Sequence, residues 1–497
     1  MFSRFTGAMP IDYRNRRATI MGLGHFGGGV AAARWLAARG AVVTVSDLAD
    51  ERVLGDSLAM LRGVPIAALH LGGHCEDDFR NADLVVVNPA VRPGNPWLEF
   101  ARRNGAELRT EIELFMENCP ARIIGVTGSN GKSTTAAMIA EILRCQNGDG
   151  SISPPEQESN MRTGSRQHES AGPPSFRTFL GGNIGTSLLE ELLRIGREDW
   201  VVLELSSFQL HHLSTAAKAP HVAVITGCTP NHLDWHASFA EYAAAKQRML
   251  AGQTPSDFAV LNTHDHEVAS WQPLVRGKQV DLPVSFEPFA RPPRDESCRR
   301  SAASDRRERG ADAFAPLLVP GRHNWVDACC AAAAARAAGC DDGAISLGLR
   351  RFVGLPMRLQ LIAERNERRF YNDSAATTPE STIAALRSID APAWLLAGGA
   401  DKGCDFQPMA ATIVRRARGA AFFGSVGRKL HDLAVSLDGD FPCCAVKTLD
   451  EALAWCAERC GPGEAVLLSP GCAATDQFQN YRRRGERFAQ LVGRGRG

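Results

Sequence analysis

No stretch of about 18 consecutive apolar residues occurs in this 497-residue chain, which excludes a membrane-spanning helix. Charge imbalance is also missing: 56 Lys and Arg stand against 55 Asp and Glu, a formal net charge of +1. That balance gives no electrostatic reason to expect nucleic acid or a membrane surface as a partner. The segment Met1 to Arg17 is polar and basic without an apolar core, so no secretory signal is expected. No Cys-x-x-Cys pair occurs among the 14 cysteines, and Cys329-Cys330 and Cys443-Cys444 are adjacent, a spacing that rarely bridges. Reduced thiols in a cytoplasmic protein are the expectation. A chain of this length holds roughly three domains at about 150 residues each. Such domains build cores that need no disulfide or metal staple.

What the chain does have is an alternation of short aliphatic runs and helical stretches. Ala18–Met21, Ala41–Val45 and Leu84–Val87 read as strands of a first parallel sheet, with a small-residue helix from Val30 to Ala38. A second set follows at 122–126, 200–204 and 221–225. A third region opens near Gly321 with an alanine-rich helix from Val326 to Ala338, then strands at 394–397, 420–423 and 465–468. Two segments break the rhythm. Residues 146–175 are polar with almost no aliphatic side chains and read as a disordered surface insertion. In 291–310 seven of twenty residues are arginine, but Asp295, Glu296, Asp305 and Glu308 are interleaved, so a solvated loop is expected there.

Two glycine-rich loops stand where strands end, the place where open α/β sheets bind ligands. Gly22-Leu23-Gly24-His25-Phe26-Gly27 follows a strand and opens a helix, and Asp47 closes the next strand about 20 residues on. Alone, this pattern suits an NAD-dependent oxidoreductase. The second loop, Thr127-Gly128-Ser129-Asn130-Gly131-Lys132-Ser133-Thr134, is more specific. Its backbone N–H groups would cradle phosphates, Lys132 would reach the β/γ oxygens, and Ser133 would hold Mg²⁺. Val126 stands where a strict phosphate loop has its first glycine, with Gly125 next to it. ATP or GTP binding follows, as in a switch or a DNA-bound motor; the +1 charge does not suggest the nucleic-acid face of a motor.

Further motifs run the length of the chain. They include Gly181–Gly185, Glu204-Leu205-Ser206-Ser207-Phe208-Gln209-Leu210, Asn231–Asp234, Tyr242 with Lys246, and Gly321–Asn324. Later come Asn372–Ser374, Gly398–Lys402 and Ser469-Pro470-Gly471-Cys472-Ala473 with Asp476–Phe478. With the second loop, these resemble the Mur ligases, ATP-dependent enzymes that extend the peptide of the peptidoglycan precursor. The stretches 204–210 and 469–478 look like the glutamate-adding branch.

The resemblance implies an α/β chain of three domains. Residues 1–117 would form a Rossmann-like domain for the UDP of the substrate. Residues 118–320 would form a central P-loop ATPase-like parallel sheet, with polar insertions at about 146–175 and 288–312. Residues 321–497 would form a Rossmann-like domain delivering the amino acid, with hinge closure over the site. The implied reaction adds D-glutamate to UDP-N-acetylmuramoyl-L-alanine through an acyl phosphate, in cytoplasmic cell-wall precursor synthesis. L-glutamate or another acidic amino acid is the alternative, and a monomer is expected.

The resemblance also assigns residues. Lys132, Glu204, His232 and Lys246 are implied in catalysis, with Ser133, Glu204, His232 and a carbamylated Lys246 around Mg²⁺. ATP would lie on Thr127 to Thr134 with Asn262, Arg358 and Asp373. Gly22, Gly24, Gly27 and Asp47 would cradle UDP, and Asn183, Ser206 and Gln209 would contact the muramoyl-alanine part. Thr377, Lys402, Ala474 and Tyr481 would form the amino-acid pocket. There the chain departs from the family: Ala375 replaces a common lysine, Ala474 a serine and Tyr481 a phenylalanine, and Thr475 is a candidate for the missing hydroxyl.

Overall fold

The structure, a computed structural model, describes residues 11–24, 27–148, 176–185, 187–214, 218–233, 235–282, 317, 319, 322–401 and 404–494. Both polar insertions, apart from 146–148, lie outside the described residues, as do Gly321, Asp234 and Lys402. Among the described residues no helix is long and apolar enough to cross a membrane.

Aliphatic strands buried on both faces assemble as parallel sheets, because helical crossovers cover each face. The first sheet uses β1 (Arg17–Met21), β2 (Val42–Asp47), β3 (Ile66–Leu71), β4 (Leu84–Val87) and β5 (Glu107–Arg109) in the order β3-β2-β1-β4-β5. All its pairings are parallel. Strand order reverses at β1, so the turn leaving β1 is the switch point where such sheets take ligands.

The second sheet comprises β6 (Arg122–Thr127), β7 (Thr178–Gly182), β8 (Trp200–Glu204), β9 (Val222–Ile225), β10 (Phe258–Leu261) and β11 (Lys278–Val280). Its order is β11-β10-β9-β6-β8-β7, again all parallel. Here β6 is the switch strand, and it runs into the second glycine loop. One buried apolar cluster extends from Ile20 and Val43 through Phe115 to Val201, Tyr242 and Trp271, so the first two sheets share a core.

The third sheet orders β12 (Gln360–Arg365), β13 (Arg368–Asn372), β14 (Ala393–Gly398), β15 (Ala417–Phe423), β16 (Cys443–Ala445) and β17 (Ala465–Leu468) as β12-β13-β17-β14-β15-β16. It is parallel except for the β12–β13 hairpin. Asn366 and Glu367 turn that hairpin with φ of 48° and 61°. These left-handed angles match the twist of paired strands.

By contacts the chain forms two compact units: Met1–Ala290 with Val326–Leu349, and Arg291–Trp325 with Arg350–Gly497. The sequence places the start of a third domain at residue 321, whereas residues 326–349 pack with the first unit. The physical reason is small residues. Cys330 to Ala335 are all buried, and Gly348 lies so near the helix Lys132–Gln146 that a Cβ on it would stand 2.6 Å from Ile142 Cα.

Candidate active site

The phosphate loop is built where β6 stops. Gly125 is part of β6 itself, and a Cβ there would meet Pro220 Cγ at 2.7 Å; its missing side chain makes room for packing rather than for phosphate. Gly131 caps the helix Lys132–Gln146 at φ 82°, and a Cβ there would sit 2.1 Å from Asp327 Oδ1. Only glycine satisfies both demands. Hydroxyls on neighbouring strands brace the loop. Thr127 Oγ1 donates to Leu205 O (2.7 Å), Thr226 Oγ1 donates to Asn130 O (2.5 Å), and Ser129 Oγ meets Tyr242 Oη at 2.8 Å. The result is a rigid loop with a helix N-terminus, the arrangement that favours a bound anion.

Two lysines converge on it. Lys132 Nζ donates to Gly128 O (2.9 Å) and Ser129 O (3.0 Å), and Lys246 Nζ donates to the same Gly128 O at 2.8 Å. Lys246 is 1% exposed, on the helix Phe239–Ala251, with its ammonium 4.5 Å from the Tyr242 ring centroid. Burial, and then the neighbouring Lys132 charge, hold Lys246 well below the ordinary lysine range. Two ammonium groups that share one acceptor repel, which disfavours the charged form of the more deeply buried Lys246.

Glu204 ends β8, the strand beside β6, and is 2% exposed. Its Oε1 accepts from Asn183 Nδ2 at 2.8 Å, whereas Oε2 is buried with no hydrogen-bond partner. An orphaned carboxylate oxygen in the interior costs several kcal/mol, and a hard cation is the ligand that satisfies it. Asn183 thus positions the carboxylate, a role the sequence did not suggest. His232 follows Asn231 at a left-handed φ of 54°, exposed, with its ring 4.7 Å from Phe208. Ser206 and Gln209 form a capping box: Gln209 Oε1 accepts from Ser206 N at 2.9 Å, and Ser206 Oγ from Gln209 N at 3.2 Å. Asn262, at the end of β10, donates from Nδ2 to Thr226 O at 2.8 Å, on the rim of β9 next to the loop. Ser133 is buried in the first turn of the loop helix.

At the first glycine loop, Gly22, Gly24 and Gly27 all have positive φ (86°, 67° and 84°). Asn88, at the end of β4, packs into the space left at Gly22 and Gly24. Asp47 Oδ2 accepts from Leu23 N at 2.7 Å and Oδ1 from Ala49 N at 2.8 Å, so this carboxylate braces the turn.

In the second unit, Asp373 directly follows β13. It accepts from Ser469 Oγ (2.7 Å) and Leu359 N (3.0 Å), and burial nevertheless pushes it up to about 7. Arg358 is exposed between Met357 and Leu359, both at left-handed angles (60° and 46°). Ala474 is buried, while Thr377 and Tyr481 are half-buried; Tyr481 O accepts from Ser374 Oγ at 2.7 Å. Lys402 lies outside the described residues.

Sequence reasoning missed Arg484. It reads as the last member of an exposed Arg482-Arg483-Arg484 run but is wholly buried. Its guanidinium donates to Ser374 Oγ and O, to Cys472 O twice and to Ala473 O, at 3.0–3.2 Å. Burial lowers it to about 10. The available signal was spacing: Arg484, Phe488 and Val492 share one buried stripe of the helix Tyr481–Arg494.

A switch-strand phosphate loop with two converging lysines and a buried, half-satisfied carboxylate defines an enzyme that handles nucleoside triphosphates. Three family models match in chain order. The Mur ligase MurD-like, N-terminal domain covers residues 16–110; the Mur ligase middle domain covers 126–335; and the Mur ligase, glutamate ligase domain covers 357–472. The chain belongs to the Mur ligase family. It is 36% identical over 488 residues to the UDP-N-acetylmuramoylalanine–D-glutamate ligase of Roseiflexus sp. (strain RS-1), covering 96% of this chain and 98% of that one. The enzyme of the same name from Symbiobacterium thermophilum is 34% identical, at 96% and 97% coverage. Among solved structures, UDP-N-acetylmuramate-alanine ligase MurC from Thermotoga maritima shares the fold, with a TM-score of 0.56 at 18% identity over 96% of this chain and 99% of that one.

Proposed function

We propose that the chain is an ATP-dependent ligase that joins D-glutamate to UDP-N-acetylmuramoyl-L-alanine in cytoplasmic peptidoglycan precursor synthesis. The observation that carries this reading is the meeting of Lys132, Lys246 and the orphaned Glu204 Oε2 at the phosphate loop, in a chain over a third identical to a relative of that name. A carboxylate has no leaving group, so it must first attack the γ-phosphorus of ATP, releasing ADP and forming an acyl phosphate. The amine of glutamate then attacks the acyl carbon, and phosphate leaves with the C–O electrons. Both steps crowd anions together. The loop N–H groups and Lys132 hold the β/γ-phosphates in line. Asn262, Arg358 and Asp373 would fix the rest of the nucleotide.

The donor set fits Mg²⁺: the Ser133 hydroxyl, the Glu204 carboxylate, His232, and Lys246 as its carbamate. When bound, Mg²⁺ supplies charge neutralisation at the phosphates. Asn183 keeps Glu204 aimed, and Ser206 and Gln209 hold the helix N-terminus next to it. The depressed Lys246 supports carbamylation, because only a neutral amine adds CO₂; the N–C bond forms as a proton leaves, and the cation becomes an anion. Activity should fall in CO₂-stripped enzyme and return with bicarbonate, and enzyme indifferent to bicarbonate would dismiss the carbamate. Gly22, Gly24, Gly27 and Asp47 would shape the UDP site. Thr377, Lys402, Ala474 and Tyr481 would receive the amino acid.

The deciding experiment follows phosphate release and product mass with ATP, Mg²⁺ and UDP-N-acetylmuramoyl-L-alanine, adding D-glutamate, L-glutamate or neither. Turnover with D-glutamate alone is expected. Turnover with L-glutamate alone would give Ala375 and Ala474 a role in stereochemistry, and silence with both would sink the reading.

A further inference from the structure

Three side chains of metal-ligand type converge near the phosphate loop without belonging to the set above. One ligand atom each of His211, His236 and Glu241 lies within 4.8 Å of the other two. They come from the end of the helix Ser207–His212, the loop that follows His232, and the first turn of the helix Phe239–Ala251. His211 Nδ1 stands 3.6 Å from Glu241 Oε1. That is too long for a good hydrogen bond. It is close to the edge of about 3.3 Å spanned by two ligands at about 2.0 Å on a tetrahedral zinc ion.

Outer contacts orient the trio as they do around metal centres. His236 Nε2 is 3.0 Å from Ser207 Oγ, which makes Nδ1 the nitrogen to ligate, and Glu241 Oε2 accepts from Ala237 N at 2.6 Å. Aromatic rings wall the cluster, with Trp235 4.6 Å and Tyr242 5.3 Å from the His236 ring. Around His211 stand the Arg248 guanidinium, the Glu241 carboxylate and the His236 ring. Arg248 itself is committed to the carbonyls of Leu210, His211 and Leu213.

We propose that His211, His236 and Glu241 bind one divalent transition-metal ion of the zinc class, at a site separate from the Mg²⁺ set. Two imidazoles and one carboxylate suit zinc, whereas the Mg²⁺ set is mainly oxygen, with His232 as its one imidazole. The ion ties the helix that bears Gln209 to the helix that bears Lys246, fixing their spacing from outside the reaction centre.

The test uses chelator-stripped full-length protein titrated with Co²⁺ in excess Mg²⁺. The expected result is the visible absorption of four-coordinate Co²⁺, saturating at one equivalent, without a thiolate charge-transfer band and displaced by Zn²⁺. His211→Asn and Glu241→Gln, both at partly exposed positions, should each lose the band with circular dichroism unchanged. Their Zn²⁺ affinity should fall by at least the roughly 10–100-fold that losing an outer partner costs. No visible band, or a band that survives both substitutions, overturns the proposal. So does a thiolate band, which would move binding to a cysteine-containing cluster such as His70, Cys75 and Asp78.

Discussion

The two glycine loops share a backbone design and differ in charge. Each leaves the switch strand of a parallel sheet and enters a helix through a left-handed glycine, Gly27 at φ 84° and Gly131 at φ 82°. In the first, an N–H that could meet a phosphate is taken by the Asp47 carboxylate, and no lysine stands in the turn. In the second, Lys132 and Lys246 crowd one carbonyl, and Glu204 on the neighbouring strand keeps a buried oxygen unsatisfied. On the proposed function, the backbone sets where a nucleotide docks, and the flanking side chains set what becomes of it. In that reading a braced, acid-bearing turn would be a holding site, whereas a cationic one with an orphaned carboxylate would gather anions and a metal.

Substitutions should separate these roles. Lys132→Ala should lower kcat by about 10³-fold, the scale of losing a preorganised transition-state contact. Binding of the UDP-substrate, measured by calorimetry, should be unaffected; equal loss of both would erase the contrast. Asn183→Ala frees Glu204 to swing and should weaken the apparent Mg²⁺ affinity by about 10–100-fold in a metal titration of turnover. Asp47→Ala leaves the Leu23 N–H unpaired. It should cost about 1–3 kcal/mol, read as a lower Tm, with the added stabilisation by MgATP retained.

The smallest effect should come from pH. Glu111, whose side chain neighbours Gly28 and accepts from the Ser187 hydroxyl, is raised by burial from 4.5 to about 7. A carboxyl raised on folding stabilises while protonated, so its contribution is full below about pH 4.5 and fades as pH climbs through about 7. Glu111→Gln should flatten that part of the stability profile, measured by denaturant unfolding at about pH 5 and about pH 8. An unchanged slope would remove pH sensitivity from the first loop.

Much of this was legible in the residues. The central strands of all three sheets are rich in aliphatic residues, and Gly-Lys-Ser after such a strand reads directly as a phosphate loop. The edge strands β5, β11 and β16 have three residues each, too few for any periodicity to register. The β12–β13 hairpin escaped because Asn366-Glu367 makes its left-handed turn without the usual glycine. Within the site, residue types were visible but their partners were not. Asn183 meets Glu204 across 21 positions of sequence, and Lys246 reaches Gly128 across 118. No local pattern encodes such pairs. Residues 326–349 pack with the first unit for a related reason: an alanine-rich helix announces that it will be buried, but not against what.

On the proposed function, the Arg484 clamp bears on how amino-acid preference could be re-engineered. One guanidinium holds the turn after β13 and the turn after β17 through five bonds, so these turns form a single mechanical part. Transplanting residues 472–476 alone from a relative with another specificity would leave the donor turn gripped to the host's 372–374 geometry. A working chimera would exchange both turns together with the face of the last helix that pins them.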